Sequence, residues 1–323
     1  MNYQFINHKS QITKLFIIFS LLLSSCEKVL EFDEGMSQRQ IVLNGVPSAG
    51  QELFVNLSYS HLFIDSNTSF PIADAHITVD VNGTQLTPVR HNGCNYFFER
   101  TMQEDDEVSI SVLADGRHLQ AHTYVPRLPR VADLQCSVVA DVFNFVDVSF
   151  NLNDYPDKKD YYKFTIAERD SGIRKNPFTE EFDTIDTTFN TRFLCLFNPE
   201  ITSPEVAASS ALGGYFYNQL LTTDSLINGK NVNIHFQILL LFDTNEVEPF
   251  KHDYELHIES VTPERYDYLR QAANASSSSS LFSEPIQVSG NIEGGALGCF
   301  AGNAKRRFPL VFERPHWRPT NRR

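Results

Sequence analysis

The thiol of Cys26 is the most chemically pointed group in the sequence because of what precedes it. Lys9 and Lys14 lead into an unbroken apolar run, LFIIFSLLLSS over 15–25, which ends in LSSC at 23–26. A basic flank, a short apolar core and small residues ahead of a cut make up a secretory leader. The run is about half of the ~20 residues that a membrane-spanning helix needs. It also has no polar face to mark it as a buried core helix. LSSC has the form of a bacterial lipobox, whose chemistry requires a cysteine. The sulfur takes a diacylglycerol thioether, and the chain is cut just before it. Several acyl chains on one residue meet the requirement of more than one lipid signal for stable anchoring. The expectation is a leader over 1–25 and a membrane anchor through acylated Cys26.

Elsewhere the spacing argues against catalysis. The chain contains no GxSxG elbow, no HExxH pair and no P-loop lysine. His118 and His122 would share a face of a strand but stand ~13 Å apart at ~3.3 Å per residue, too far for one ion. His252 and His257 are five apart and fall on opposite faces, so both sets read as ordinary polar positions. Four cysteines remain, Cys94, Cys136, Cys195 and Cys299, with no CxxC spacing among them. No metal site is expected from them. Outside the cytoplasm an even number permits disulfides in three pairings, and four buried thiols fit equally well.

The acidic run EDDE, 104–107, lacks the D-x-D-x-D-G order of a calcium loop and reads as a solvated turn. NDYPDKKD, 153–160, mixes signs and reads the same way. VSGNIEGGALGCFAGN, 288–303, is the densest glycine cluster. A phosphate loop would need a strand, the loop and then a helix N-terminus. A strand at PIQVS, 285–289, could precede it, but only twenty residues follow, three of them proline. Its glycines therefore suit a bent or bulged closing strand. Of the 26 Phe and 12 Tyr, most must fill cores. GGYFYNQ, 213–219, instead places Tyr215, Phe216 and Tyr217 in an irregular stretch from about 172 to 225. They are candidate ligand contacts, with core packing as the competing reading.

The elements that must position these residues are strands. Removing the leader takes away Lys9 and Lys14 and no acid. The 27 basic residues become 25 against 40 acidic ones, and the formal charge moves from −13 to −15. Such a balance excludes nucleic acid as an expected partner. The 298 residues left are enough for two domains. Residues 26–38 read as a polar tether. Over 39–128, Ile77, Val79 and Val81 alternate with polar neighbours, as do Val108, Ile110 and Val112. Asn82-Gly83 and Asp115-Gly116 suit type I′ turns between such runs. Roughly seven strands predict an immunoglobulin-like β-sandwich.

A proline linker, YVPRLPRVADL at 124–134, leads to a second β-rich domain over 129–313. Val146, Val148 and Phe150 alternate there, as do Tyr162, Phe164 and Ile166. IHFQILLLF, 234–242, reads as a strand covered on both faces. Two short helices are expected, one at SPEVAASSALGG with Ser203 and Pro204 at its start, one at TPERYDYLRQAANA with Thr262 and Pro263. NASSSSS, 274–280, reads as a loop. The basic stretch from Lys305 to Arg323, with the tail proper at 314–323, reads as a frayed terminus rather than a binding arm. The fold class is all-β: the first sandwich followed by a larger sandwich or partly open barrel with two short helices.

The lipobox, the β-sandwich, the proline linker and the C-terminal FSEPIQVSGNIEGGALGCFAGN together resemble Bacteroidota lipoproteins grouped as domain of unknown function 4249 (DUF4249). Glu284-Pro285, Asn291-Ile292 and Gly294-Gly295 carry the likeness, while Ala296 and Cys299 depart from the usual form. The acidic residues soon after Cys26 also resemble surface-export signals of such lipoproteins. The resemblance implies an outer-membrane or cell-surface accessory protein that binds a solute or ligand for a TonB-dependent transporter. A structural or adhesive envelope module is the alternative. No cofactor and no catalytic residues are implied, so the expected mode of action is binding rather than catalysis.

Overall fold

The structure, a computed structural model, describes residues 39–61, 70–72, 74–139, 145–188, 190–192, 194–196, 219–240, 246–277 and 288–313. Cys26, the leader, the tether and the 314–323 tail lie outside the described residues. So do Tyr215, Phe216, Tyr217 and the helix expected at SPEVAASSALGG.

Eight strands build the first sandwich: β1 (Ile41–Gly45), β2 (Glu52–Tyr59), β3 (His76–Val81), β4 (Thr84–Leu86), β5 (Arg90–Asn92), β6 (Asn95–Thr101), β7 (Glu107–Ala114) and β8 (Arg117–Tyr124). They form two antiparallel sheets, β1-β2-β6-β5 and β4-β3-β7-β8. The alternating rows face inward as expected: Val79, Val108 and Val112 are fully buried, with Leu43, Leu57 and Phe98 opposite. Both two-residue turns adopt positive φ at each position, 52° and 82° at Asn82-Gly83 and 50° and 70° at Asp115-Gly116. That is the type I′ geometry whose twist matches the flanking strands.

The second sandwich has β9 (Arg130–Val139), β10 (Phe145–Asn153), β14 (Leu194–Leu196) and β16 (Asn231–Leu239) in one sheet, ordered β14-β16-β10-β9. The other sheet runs β12 (Phe182–Asp186), β11 (Tyr161–Lys175), β17 (Glu246–Val261), β18 (Asn303–Leu310). β13 (Asn190–Arg192) and β15 (Leu220–Thr223) also pair with β11. Val146, Val148 and Phe150 face Tyr162, Phe164 and Ile166 across one core. The result is a sandwich of two open sheets.

Three expectations change. β16 is covered on one face only: Ile234, Phe236 and Ile238 are buried, while His235 and Gln237 on the alternate row stay partly exposed. The helix α1 (Pro263–Ser277) runs into the serine tract instead of ending before it. Tyr266 and Ala273 anchor it on Leu221 and Val261. Lys305, Arg306 and Arg307 are not frayed but sit in β18, an edge strand that tolerates Pro309 and is blunted by its charges.

EDDE and NDYPDKKD are turns with exposed tips, as expected, and each also holds the junction between the sandwiches. Asp106 is buried, accepting from Asn82 Nδ2 at 2.7 Å and from the Gln103 amide at 2.8 Å. The linker, residues 125–129, is held between the two runs. Arg127 reaches Asp157 at 2.8 Å and Asp105 at 3.3 Å, and the Leu128 amide donates to Glu104. Those contacts hold the Arg127 guanidinium above its ordinary range and Asp157 below its own.

The glycine cluster closes the first sandwich from the far end of the chain. It lies parallel to β1, with Leu43 N donating to Leu297 O at 2.9 Å and Gly45 N to Cys299 O at 3.0 Å. Glu293 also exchanges both backbone bonds with Gln120 of β8. Asn291 grips the Phe300 backbone with its side-chain amide at 2.7 and 2.9 Å, and the Phe300 ring is buried in the first core. A fully buried phenylalanine of this kind contributes ~1.5–3 kcal/mol.

Candidate functional site

The inward row of β11 reads Tyr162, Phe164, Ile166, Glu168, Asp170, and the matching row of β17 reads Ile258, Leu256, Tyr254, His252. The register pairs Glu168 with Tyr254 and Asp170 with His252. Three apolar positions on each strand build the core. The same faces then become ionisable, so the apolar core gives way to a polar group at one end of the sandwich.

His252 is the centre of that group. Its Nδ1 lies 2.7 Å from Asp170 Oδ1 and 3.2 Å from Glu168 Oε1, while its Nε2 lies 3.1 Å from Glu246 Oε2. The His252 side chain is 6% exposed and Glu168 3%, while Asp170 and Glu246 reach 13% and 16%. The group is therefore buried on the core side and only slightly exposed at Asp170 and Glu246. The ring lies between Phe250, at 5.0 Å, and Tyr254, at 6.5 Å. Arg174 approaches within 4.0 Å of Asp170 and 3.8 Å of Glu246, and offsets part of the carboxylate charge.

A bulge makes this meeting possible. Along a straight strand Glu246 and His252, six residues apart, would be separated by ~20 Å. The β11–β17 register shifts between Ser171 and Ile173, so residues 248–250 stand opposite Gly172 alone. A side chain at Gly172 would meet Phe250 at 2.6 Å, so only glycine lets the bulged strand come this close. His252 and His257 stay apart, as their spacing of five predicts. His257 does face the other side of β17, beside Glu255 at 2.8 Å, and burial holds its imidazole below the ordinary range. The group that forms joins His252 to carboxylates that lie up to 84 positions away, across a strand pairing that no local pattern reveals.

His118 and His122 share the exposed face of β8, as expected, and each meets a serine across the strand pair. Ser111 Oγ lies 2.8 Å from His118 Nε2, and Ser109 Oγ 3.1 Å from His122 Nδ1. Glu107 sits 3.1 Å from His122 Nε2, giving a serine–histidine–carboxylate order. The His122 and Glu107 side chains are 66% and 61% exposed, and β7 is paired on both sides, with β3 and β8. Its backbone N–H groups are thus committed to the sheet instead of forming an oxyanion hole. The arrangement is a set of cross-strand polar pairs.

No disulfide joins Cys94, Cys136 and Cys299. Cys195 and Cys136 lie on strands β14 and β9 at opposite edges of one sheet, three strand spacings or ~14 Å apart. That separation is well beyond disulfide reach. Burial pushes the Cys299 thiol up to about 11. No helix among the described residues is long and apolar enough to cross a membrane.

A family described as "Domain of unknown function (DUF4249)" matches residues 27–308. No curated protein matches the sequence. Among solved structures, the collagen binding domain of the surface protein RspB of Erysipelothrix rhusiopathiae is 11% identical, with 85% of this chain and 96% of that one covered and a TM-score of 0.19. A structure of manganese lipoxygenase of Gaeumannomyces graminis with part of zonadhesin of Komagataella pastoris is 10% identical, covering 69% and 89%, also at 0.19. Scores this low carry no argument about fold or activity. The family match spans most of the chain, from just after Cys26 to within β18, and the chain belongs to the DUF4249 family.

Proposed function

We propose that this protein is a lipid-anchored component of the bacterial outer membrane, exposed at the cell surface, that acts by binding. The observation that carries the reading is the order of parts at the N-terminus. An apolar leader ends at LSSC, the family match starts at the next residue, 27, and the compact unit begins at Gln40. Cys26 carries the acyl chains and the residues after it set the reach of a rigid β body. Residues of the second domain, Tyr215, Phe216 and Tyr217 among them, contact a solute or ligand destined for a TonB-dependent transporter. Anchoring raises the effective concentration of two weakly interacting partners without new contacts.

Metabolic labelling with an alkyne fatty acid tests the anchor. Label is expected on the wild-type protein and not on Cys26→Ala, which should leave the membrane fraction and no longer co-purify a transporter. Release of an unlipidated wild-type protein by signal peptidase would sink the anchor. Tight association with another envelope protein, with no solute bound, would favour a structural or adhesive module.

A further inference from the structure

We propose that Glu168, Asp170 and His252 form a binding site for a divalent transition-metal cation of the Zn2+ type, with Glu246 as the carboxylate that orients the imidazole. One nitrogen and two carboxylate oxygens, one from each of the three residues, lie within 4.8 Å of one another. A set that mixes imidazole with carboxylates suits zinc and its neighbours better than magnesium or calcium, which take all-oxygen shells.

The division of labour on the imidazole is the second argument. A neutral imidazole has one N–H to donate and one lone pair. Nε2 faces Glu246 at 3.1 Å, and Nδ1 faces the two oxygens of Glu168 and Asp170. With the proton on Nε2, that nitrogen donates to Glu246 and the Nδ1 lone pair points at the two carboxylates. A proton on Nδ1 satisfies the same pair as a 2.7 Å hydrogen bond to Asp170, and a cation bound between the nitrogen and the two carboxylates takes that proton's place. A carboxylate–histidine–metal arrangement has this same pattern, in which the outer carboxylate fixes the tautomer and raises the basicity of the ligating nitrogen. The bulge opposite Gly172 is what delivers Glu246 to that outer position.

The spacing also suits the ion. Donors at ~2.0–2.1 Å in a tetrahedron stand about 3.3 Å apart. Glu168 Oε1 is already 3.2 Å from Nδ1, and Asp170 Oδ1, at 2.7 Å, needs to move by about half an ångström. Glu168 and His252 are buried against the core while the Asp170 side chain is 13% exposed, so Asp170 is the side from which an ion would enter.

The purified full-length mature chain, stripped with chelator, is titrated with Zn2+ by equilibrium dialysis, and with Co2+ while its visible absorption is followed. One equivalent is expected per chain, with a Co2+ spectrum showing nitrogen ligation. His252→Gln and Asp170→Asn should each weaken binding at least about ten-fold, while His257→Gln leaves it unchanged. Near-UV circular dichroism establishes that each variant is folded. If His252→Gln does not fold, Asp170→Asn and the wild-type Co2+ spectrum decide. Failure of the wild-type protein to retain either ion overturns the proposal. So does uptake that survives both His252→Gln and Asp170→Asn, or a Co2+ spectrum with oxygen ligands alone.

Discussion

At the residue scale, three buried aspartates close to the sandwich junction carry a consequence for pH. Asp154 is fully satisfied, accepting from the Tyr162 hydroxyl at 2.6 Å and the Gly229 amide at 2.8 Å. Asp224 accepts from the Asp160 amide at 2.8 Å, whereas Asp160 Oδ2 is buried with no hydrogen-bond partner among the described residues. Burial first, then the nearby charges of Asp154 and Asp224, push the Asp160 carboxyl up to about 7. Its folded value therefore exceeds its unfolded value near 3.8. The unfolded chain releases this proton before the folded one does, so stability falls as the pH rises from about 4 to about 7 and then levels off. Asp160→Asn removes the penalty. After discounting for nearby water, the variant should gain about 1–2 kcal/mol at pH 8, most of it gone by pH 4. Urea unfolding of both proteins at the two pH values checks this; a pH-independent difference would show that folding leaves the Asp160 carboxyl at its ordinary value.

At the scale of elements, what could be read from sequence was local and what could not was long-range. Asn82-Gly83 and Asp115-Gly116 were legible because a type I′ turn is fixed by its own two residues. The row Val146, Val148, Phe150 was legible because period two is a property of one strand. The glycine cluster announced a bent closing strand, but nothing local says that it closes β1, some 255 residues earlier. The His252 group was hidden for the same reason, since it depends on the pairing of β11 with β17 and on a register shift. Glycine substitutions separate conformational need from close approach. Gly298 has φ of +104°, and a Cβ there would lie 2.1 Å from Leu43 O, whereas Gly295, at +79°, faces open space. Gly295→Ala should cost about 1 kcal/mol, and Gly298→Ala about 3 kcal/mol or more. The second variant alone should speed hydrogen exchange at the Leu43 and Gly45 amides, which donate to Leu297 and Cys299. Equal costs at the two sites would mean that the fit against β1 is loose.

At the scale of the whole molecule, the two sandwiches are tied by a buried charge as well as by the linker. Ser48 of the first sandwich hydrogen-bonds the side chain of Asn303, whose Nδ2 donates to Glu259 at 2.9 Å on β17. Glu259 is 4% exposed, with Lys163 Nζ at 3.2 Å and Lys305 Nζ at 3.8 Å. Burial alone would raise its carboxyl, but Lys163, Lys305, Arg265 and the Asn303 hydrogen bond outweigh that and hold it below the ordinary range. A depressed carboxylate contributes stability above its unfolded pKa and loses it as the pH falls through the folded value. Glu259→Gln leaves two lysines facing a neutral amide and should cost about 2–4 kcal/mol at pH 7, because breaking a buried pair strands the remaining charges. That penalty should shrink as the pH drops through the carboxylate range. Asn303 couples Glu259 to Ser48, and β18 continues directly from the segment that closes β1. The loss should therefore appear in both sandwiches, as faster hydrogen exchange in β1 and β8 as well as in β11 and β17. Destabilisation of β11 and β17 alone would make the sandwiches separate folding units joined at a passive seam, and a rigid two-sandwich body could then no longer be assumed in any account of binding.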